Sequence, residues 1–170
     1  MEAGTPPNHL PPVLDATCGG RMMWFDKQNP RALYVDRRTV DPIRVGNGRN
    51  SRDFSVAPDI VADFTNLPFP DESFYLVVFD PPHLIRAGDD SYMAVKYGKL
   101  GGDWREVLKA GFAECMRVLR PGGTLIFKWS EIQIPASEII AVVGHNPLFG
   151  HKSGRKMNTH WMAFLKEAAK

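Results

Sequence analysis

The chain has 170 residues, of which 44% are hydrophobic and 11% aromatic, so it can bury the core of one domain and is not disordered as a whole. Its net charge of +2 indicates no particular class of partner, and no apolar run approaches the roughly 20 residues of a membrane-spanning helix. The N-terminal sequence has no signal-peptide features, and Cys18 and Cys115 fit no metal-ligand spacing, so we expect a reduced, cytoplasmic protein without a metal.

Four short apolar runs, each closing on or near an acidic residue, are typical of buried parallel strands. They are PVLDAT (12–17), RALYVD (31–36), DIVADF (59–64) and FYLVVFD (74–80). The segment DWREVLKAGFAECMRVLRPGG then carries apolar residues at helical spacing, and this stripe stops at Pro121-Gly122-Gly123. TLIFKW (124–129) predicts a fifth strand after the helix.

The C-terminal part adds a short helix at 135–144 and a pair of strands within 146–165 that are joined by a basic turn. Strands that alternate with helices predict an α/β fold with a Rossmann-like, doubly wound sheet. We expect seven strands, mostly parallel, with an antiparallel pair at the end. The sequence has no repeats and no linker, so residues 1–170 are predicted to form a single domain.

Two segments interrupt this alternation. Residues 37–58 contain Pro42 and Pro58 and show no helical stripe, although a crossover helix belongs at this place in the fold. Residues 84–102 form a long glycine-containing segment, which we interpret as a lid-like loop on the substrate side.

Acidic residues follow four predicted strands at or near their carboxyl ends, namely Asp15, Asp36, Asp63 and Asp80. A single acid in such a position is usually a turn former or a helix cap. Ligands of open α/β sheets bind beyond the carboxyl ends of the strands, where these four side chains would meet. The set therefore indicates a ligand rich in hydroxyls, amines or positive charge.

The first strand leads into the turn DATCGGR, Asp15–Arg21. Gly19 and Gly20 allow the backbone to approach a ligand closely, although an ordinary turn from a strand into a helix has the same composition. The turn is not a phosphate loop, because no Gly-Lys-Ser/Thr follows, and it lacks the Gly-x-Gly-x-x-Gly dinucleotide fingerprint.

The segments VLDATCGG, YVD, ADFTNLPFPDESFYLVVFDPP and RVLRPGGTLIF occur in an order that resembles the class I S-adenosylmethionine-dependent methyltransferases. The resemblance covers about residues 12–130 and implies S-adenosyl-L-methionine as the cofactor. It implies that Asp15, Ala16, Thr17, Cys18, Gly19 and Gly20 surround the methionine part of the cofactor. Asp36 would bind the ribose hydroxyls, and Asp63 would meet the adenine amine with Phe64 beside the ring. Asp80 would lie where cofactor and acceptor meet.

The sequence Asp80-Pro81-Pro82-His83 resembles the Asp-Pro-Pro-aromatic motif of N6-adenine and N4-cytosine amino-methyltransferases. The lone pair of an aryl amine is delocalised into its ring, so the nitrogen is a poor nucleophile. Hydrogen bonds from the amine to the Asp80 carboxylate and the Pro81 carbonyl would localise that lone pair and aim it at the methyl group. Pro82 would help to hold the carbonyl in place, and His83 would stack on a base that is flipped out or single-stranded.

Three departures from this motif family leave the substrate open. His83 stands where Tyr, Phe or Trp is usual, and it could instead act as a base on a hydroxyl or carboxyl substrate. Arg21 stands where amino-methyltransferases usually place a second glycine. The third departure is that a target-recognition domain is not evident. The acceptor could therefore be DNA read with a specificity partner protein, structured RNA, a protein or a small molecule, and a non-catalytic cofactor-binding subunit is a further alternative.

Other segments carry weaker expectations. Residues 22–25, MMWF, are expected to belong to the core of a first helix rather than to line the cofactor pocket. Trp129 could floor the substrate pocket or serve in packing. The arginines of residues 37–52 are expected to be solvated, with a phosphate-facing surface for nucleic acid as the alternative. No membrane association is expected, and the sequence does not indicate an oligomeric state.

Overall fold

The structure is a computed structural model, and it describes residues 9–45, 51–86, 88, 94 and 98–168. The strands are β1 (Val13–Asp15), β2 (Ala32–Asp36), β3 (Val40–Val45), β4 (Arg52–Val56), β5 (Ile60–Val61), β6 (Phe74–Phe79), β7 (Leu119–Ser130), β8 (Phe149–Ser153) and β9 (Thr159–Leu165). The helices whose bounds are described are α1 (Trp104–Val118) and α2 (Ala136–Val143). No helix of the described residues is both long and apolar enough to cross a membrane.

The main sheet has seven strands in the order β5-β2-β1-β6-β7-β9-β8. The pairs from β5 to β7 are parallel, and β9 runs antiparallel to both β7 and β8. The predicted fold class is therefore confirmed: the fold is α/β with a mostly parallel seven-stranded sheet and an antiparallel terminal pair. The order reverses between β1 and β6, so a ligand site is expected beyond the carboxyl ends of these strands.

The core lies between the sheet and α1. Leu108, Phe112 and Cys115 of the helix are buried, and the Phe112 ring packs against Phe127 of β7 and Phe164 of β9. The helical stripe was predicted, but its end was placed too late. The helix ends at Val118, and β7 begins at once and includes the Pro-Gly-Gly sequence, where an irregularity in the pairing with β6 absorbs the proline.

A β-hairpin, formed by β3 and β4, occupies the place where a crossover helix belongs. Phe54 and Val56 are buried and form a small cluster of their own with Val40. A methyl group added to Gly20 would lie 2.9 Å from the Phe54 ring, so the hairpin packs directly on the glycine turn. The hairpin thus covers the glycine turn as a crossover helix would, and it does so with Phe54 and Val56, which are alternate residues of β4.

The expected first helix does not form, since residues 16–31 are all described and contain only turns and bends. Trp24 packs edge-on against Tyr34 with ring centroids 5.0 Å apart, and this contact covers the sheet on the face opposite α1. Met22 and Phe25 are exposed. The expectation that MMWF belongs to the core of a first helix is therefore wrong, because only Trp24 of its members packs into a buried cluster.

The predicted lid-like loop, residues 84–102, is described at its two ends, and residues 87, 89–93 and 95–97 lie outside the described residues. The ends are tied together, because Leu100 N donates to Leu84 O at 3.0 Å. The side-chain oxygen of Gln133 accepts from the backbone N–H groups of Ile85 and Arg86 at 2.8 and 3.0 Å. The function of the loop as a lid stays a prediction.

Candidate cofactor and acceptor site

A cavity opens at the carboxyl ends of β1, β2 and β6, with about 740 Å³ of empty space including the part open to solvent. It is lined by residues 16–20, Met22, Met23, Asp36, Arg37, Arg38, Phe54, Phe64, Asp80, Pro82 and Lys128. Most of the residues predicted from sequence therefore meet at one place, although they come from four separate segments.

The glycine turn is held by Arg21. Gly19 and Arg21 both adopt left-handed backbone conformations, with φ of 47° and 52°. Such a conformation is unfavourable for a residue with a Cβ, which is why glycine is usual there. The Arg21 guanidinium lies 3.8 Å from the centre of the Tyr34 ring and donates to the Asp59 carboxylate at 2.8 Å. It also donates to the Ala57 carbonyl, so tertiary contacts of the side chain offset the backbone cost.

Asp36 fastens this turn to the end of β2. The carboxylate is buried, and its Oδ2 accepts from the backbone N–H of Gly19 at 3.0 Å. Its Oδ1 accepts from the backbone N–H and the Nε of Arg38 at 2.9 and 3.2 Å. Asp36 is thus an acceptor at the cavity wall whose orientation is fixed from both sides.

Asp15 and Asp63 do not line the cavity. Asp15 is fully buried beneath the turn, where it accepts from Trp24 Nε1 at 2.7 Å and from Thr17 N at 3.3 Å. Burial raises the pKa of Asp15 to about 7, although the hydrogen bond from Trp24 opposes the shift. Asp63 accepts from the N–H and hydroxyl of Thr65 at 2.9 and 2.8 Å. The structure shows both acids shaping loops, and their contacts with a cofactor stay predictions.

The carboxyl end of β6 brings Asp80 into the same cavity. Its backbone N–H donates to Thr17 Oγ1 at 2.8 Å, which links the glycine turn to the Asp-Pro-Pro segment. Lys128 Nζ lies 2.6 Å from Asp80 Oδ2. Burial raises the pKa of Asp80, and the lysine ammonium opposes this shift. Of the two prolines, Pro82 lines the cavity and Pro81 is buried beside it.

His83 does not line the cavity. Its side chain is buried, and its ring lies edge-on to Trp129 with centroids 6.4 Å apart. Burial lowers the pKa of His83, although the charge of Asp80 opposes the shift. Trp129 is fully buried and donates from Nε1 to the Ile134 carbonyl, so it serves in packing and does not floor the cavity. The predicted stacking of His83 on a base has no support from this arrangement and stays a prediction.

Sequence reasoning assigned no role to several residues of the cavity, among them Phe54 and Lys128, because each arrives from a distant segment. Lys128 directly precedes Trp129, which the sequence offers as a candidate floor of the substrate pocket, and this was the available signal for Lys128. Arg37 and Arg38 reach the cavity, whereas Arg44 is exposed beside Ser51, and Arg49 lies outside the described residues. In the described part of the chain, no three His, Cys, Asp or Glu side chains are grouped to hold a metal ion.

No protein-family model matches the chain, and no curated protein sequence matches it significantly. Solved structures do resemble it. PH0226 protein from Pyrococcus horikoshii OT3 aligns with a TM-score of 0.54 and 17% identity, over 92% of this chain and 81% of that one. A SAM-dependent methyltransferase from Leishmania major aligns with a TM-score of 0.51 and 14% identity, over 91% of this chain and 63% of that one. At these identities the likeness shows the fold: this chain shares an α/β architecture that is found in an S-adenosylmethionine-dependent methyltransferase.

Proposed function

We propose that the protein is an S-adenosylmethionine-dependent methyltransferase that methylates an exocyclic amine of a nucleobase in DNA or RNA. The observation that carries the proposal is the shared cavity, in which the glycine turn and Asp36 face Asp80 and Pro82. The shared fold with the Leishmania major enzyme supports the cofactor. A specificity partner protein and a cytoplasmic location belong to the same proposal.

The cofactor fits the residues of the cavity. The backbone of Thr17–Gly20 would surround the methionine part, since Gly19 and Gly20 leave room for close approach. Asp36 would accept from the ribose hydroxyls, for which a carboxylate is suited because it can accept two hydrogen bonds. Phe64 would lie against the adenine ring. When bound, the cofactor supplies a methyl group on a sulfonium, which leaves as a neutral thioether.

The acceptor amine would lie against Asp80. Lys128 occupies one carboxylate oxygen, and no described residue donates to the other, Oδ1. Oδ1 and the Pro81 carbonyl would accept the two N–H groups of the amine and orient its lone pair. The nitrogen gains a methyl group and loses one proton, for which the Asp80 carboxylate is the acceptor in the cavity.

The geometry bears differently on the two alternatives. The geometry does not support a methyltransferase that uses His83 as a base, because the imidazole is buried against Trp129. A non-catalytic cofactor-binding subunit is favoured by one observation, the ion pair that already occupies an oxygen of Asp80.

Transfer of a labelled methyl group to a panel of acceptors tests the proposal. The panel contains single-stranded and duplex DNA, tRNA, rRNA, free nucleosides and a lysine-rich peptide. We expect label in a nucleic acid, and mass spectrometry of the digested product should show a base methylated on its exocyclic nitrogen. A protein that binds the cofactor but labels no acceptor would support the non-catalytic subunit, and label in the peptide alone would contradict the nucleobase.

Replacing Asp36 with alanine is expected to weaken the binding of both S-adenosylmethionine and S-adenosylhomocysteine by about 1–3 kcal/mol, or roughly 5–150-fold. The variant loses the acceptor for the ribose and also the anchor of Gly19. Isothermal titration calorimetry measures both affinities. Asp41, an exposed acid on β3, provides the matched alanine control. Unchanged affinity in the Asp36 variant would refute its assignment to the ribose.

A further inference from the structure

A row of polar and aromatic side chains crosses the sheet at the acceptor end of the cavity. Phe79 pairs with Phe127, so the next residues, Asp80 and Lys128, are neighbours at the carboxyl ends of β6 and β7. Phe127 packs on α1, and the alternation of a strand places Lys128 on the opposite face of the sheet. Lys128 pairs in turn with Trp161 of β9.

Lys128 is held in this row by contacts on both sides. Its Nζ lies 2.6 Å from Asp80 Oδ2 and 5.7 Å from the centre of the Trp161 ring. Only 24% of its side chain is exposed, against 51% for Lys152, whose Nζ lies 2.9 Å from Glu131 on the protein surface. An ion pair that lines a cavity acts on a ligand more strongly than a solvated pair, because less water screens it.

The Asp80–Lys128 ion pair determines which charge a ligand can carry in the part of the cavity next to Asp80 and Lys128, which we call the acceptor corner. A lone Asp80 carboxylate would attract a protonated alkyl amine, such as a lysine side chain, in preference to a neutral amine. With Lys128 beside it the carboxylate is neutralised, and a second cation would be repelled. Oδ1 remains an acceptor for an uncharged N–H group, and an aryl amine offers such a group because its nitrogen is not protonated at neutral pH.

We propose that Lys128 is a specificity-determining residue that excludes protonated amines from the acceptor corner and reserves Asp80 for a neutral aryl amine. This inference rests on the proposed function. It also predicts an effect on cofactor binding, which can be measured without an acceptor. S-adenosylmethionine carries a positive sulfonium and S-adenosylhomocysteine does not, so Lys128 must lower the affinity for the first relative to the second.

The test is calorimetric titration of the wild-type chain and three variants with both ligands. In Lys128→Met, the affinity ratio of S-adenosylmethionine to S-adenosylhomocysteine should rise about tenfold near pH 8.5, because a lone carboxylate then faces the sulfonium. Lys128→Arg keeps the charge and should keep the wild-type ratio. Lys152→Met removes a lysine of a surface ion pair and should also leave the ratio unchanged.

The pH dependence of the ratio provides a second readout. In the described part of the chain, the charged and titratable groups that interact electrostatically with Asp80 are Lys128 from β7, His83 from the following loop and Asp15 from β1. Without the lysine, burial raises the pKa of Asp80 further, so the carboxylate takes up a proton as the pH falls. The gain in Lys128→Met should therefore be largest at alkaline pH and fade as the pH falls.

The outcomes separate the inference from the function. If the wild type binds both ligands and Lys128→Met leaves their ratio unchanged, the inference is overturned and the proposed function stands. If the wild type binds neither ligand, both the inference and the proposed function are contradicted. In the methyl-transfer panel, Lys128→Met should gain activity on the lysine-rich peptide relative to nucleosides, and a wild type that already prefers the peptide would overturn the inference.

Discussion

Replacing Asp80 with alanine is expected to reduce methyl transfer by at least about 100-fold, since it would remove the group that we propose orients the acceptor nitrogen. The affinity for S-adenosylhomocysteine should change by no more than a few-fold, because in the proposed function the Asp80 side chain would contact the acceptor, and its backbone contact with Thr17 is retained. Transfer is measured with labelled cofactor at saturation on the acceptor that the panel identifies. Equal loss of transfer and affinity would contradict the assigned role.

The choice of ligand matters for this variant. Asp80→Ala leaves the Lys128 ammonium without its partner beside the cavity, and an uncompensated cation repels the sulfonium of S-adenosylmethionine. The neutral S-adenosylhomocysteine therefore reports the shape of the site with less influence from charge. Asp71, which lies before the amino end of β6 and is exposed, provides the matched alanine control and should retain activity.

Replacing Gly111 with alanine is expected to destabilise the protein by roughly 1–3 kcal/mol, which is the usual cost of overpacking a core. Helix propensity alone predicts the opposite sign, since alanine is favoured over glycine within a helix by about 1 kcal/mol. The added methyl group would lie 2.4 Å from a ring carbon of Phe64 and 3.1 Å from the Phe79 ring. Both rings are buried, so the clash outweighs the propensity.

The same clash connects α1 to the cavity, because Phe64 is part of its lining. If the ring is displaced, the affinity for S-adenosylhomocysteine should fall together with the free energy of unfolding. Urea denaturation and calorimetry measure the two quantities. Ala110→Gly, at the exposed neighbouring position, should cost about 1 kcal/mol of stability through propensity and leave the affinity unchanged. A Gly111→Ala variant that is more stable than the wild type would contradict the packing described above.

Periodicity accounts for what could be predicted. The run that became β2 is apolar because this strand is buried along its whole length, and the runs of β1, β5 and β6 place apolar side chains in the same core. The helix α1 shows its stripe because one side packs on the sheet. These are local signals. Residues 16–31 and the β3–β4 hairpin lack such a signal, since turns and exposed hairpin strands place few demands on successive side chains. Their conformations depend on contacts with the rest of the fold.

Contacts between distant segments were the second feature that could not be predicted from the sequence. Arg21 replaces an expected glycine, and the contacts that hold it come from Tyr34 and Asp59. Lys128 meets Asp80 across 48 positions of sequence. No spacing rule links such pairs, because they are joined by the register of neighbouring strands.

The sequence by itself determined the strands of the main sheet, the helices α1 and α2, the acidic residues at the strand ends and the place of Asp80 at the carboxyl edge of the sheet. It could do so because alternation along a strand and its termination by prolines are properties of neighbouring residues. Only the tertiary structure decided what surrounds that acid. It turned His83 inward against Trp129 and brought Lys128 to the carboxylate, since a side chain beyond the end of a strand is oriented by packing and not by periodicity.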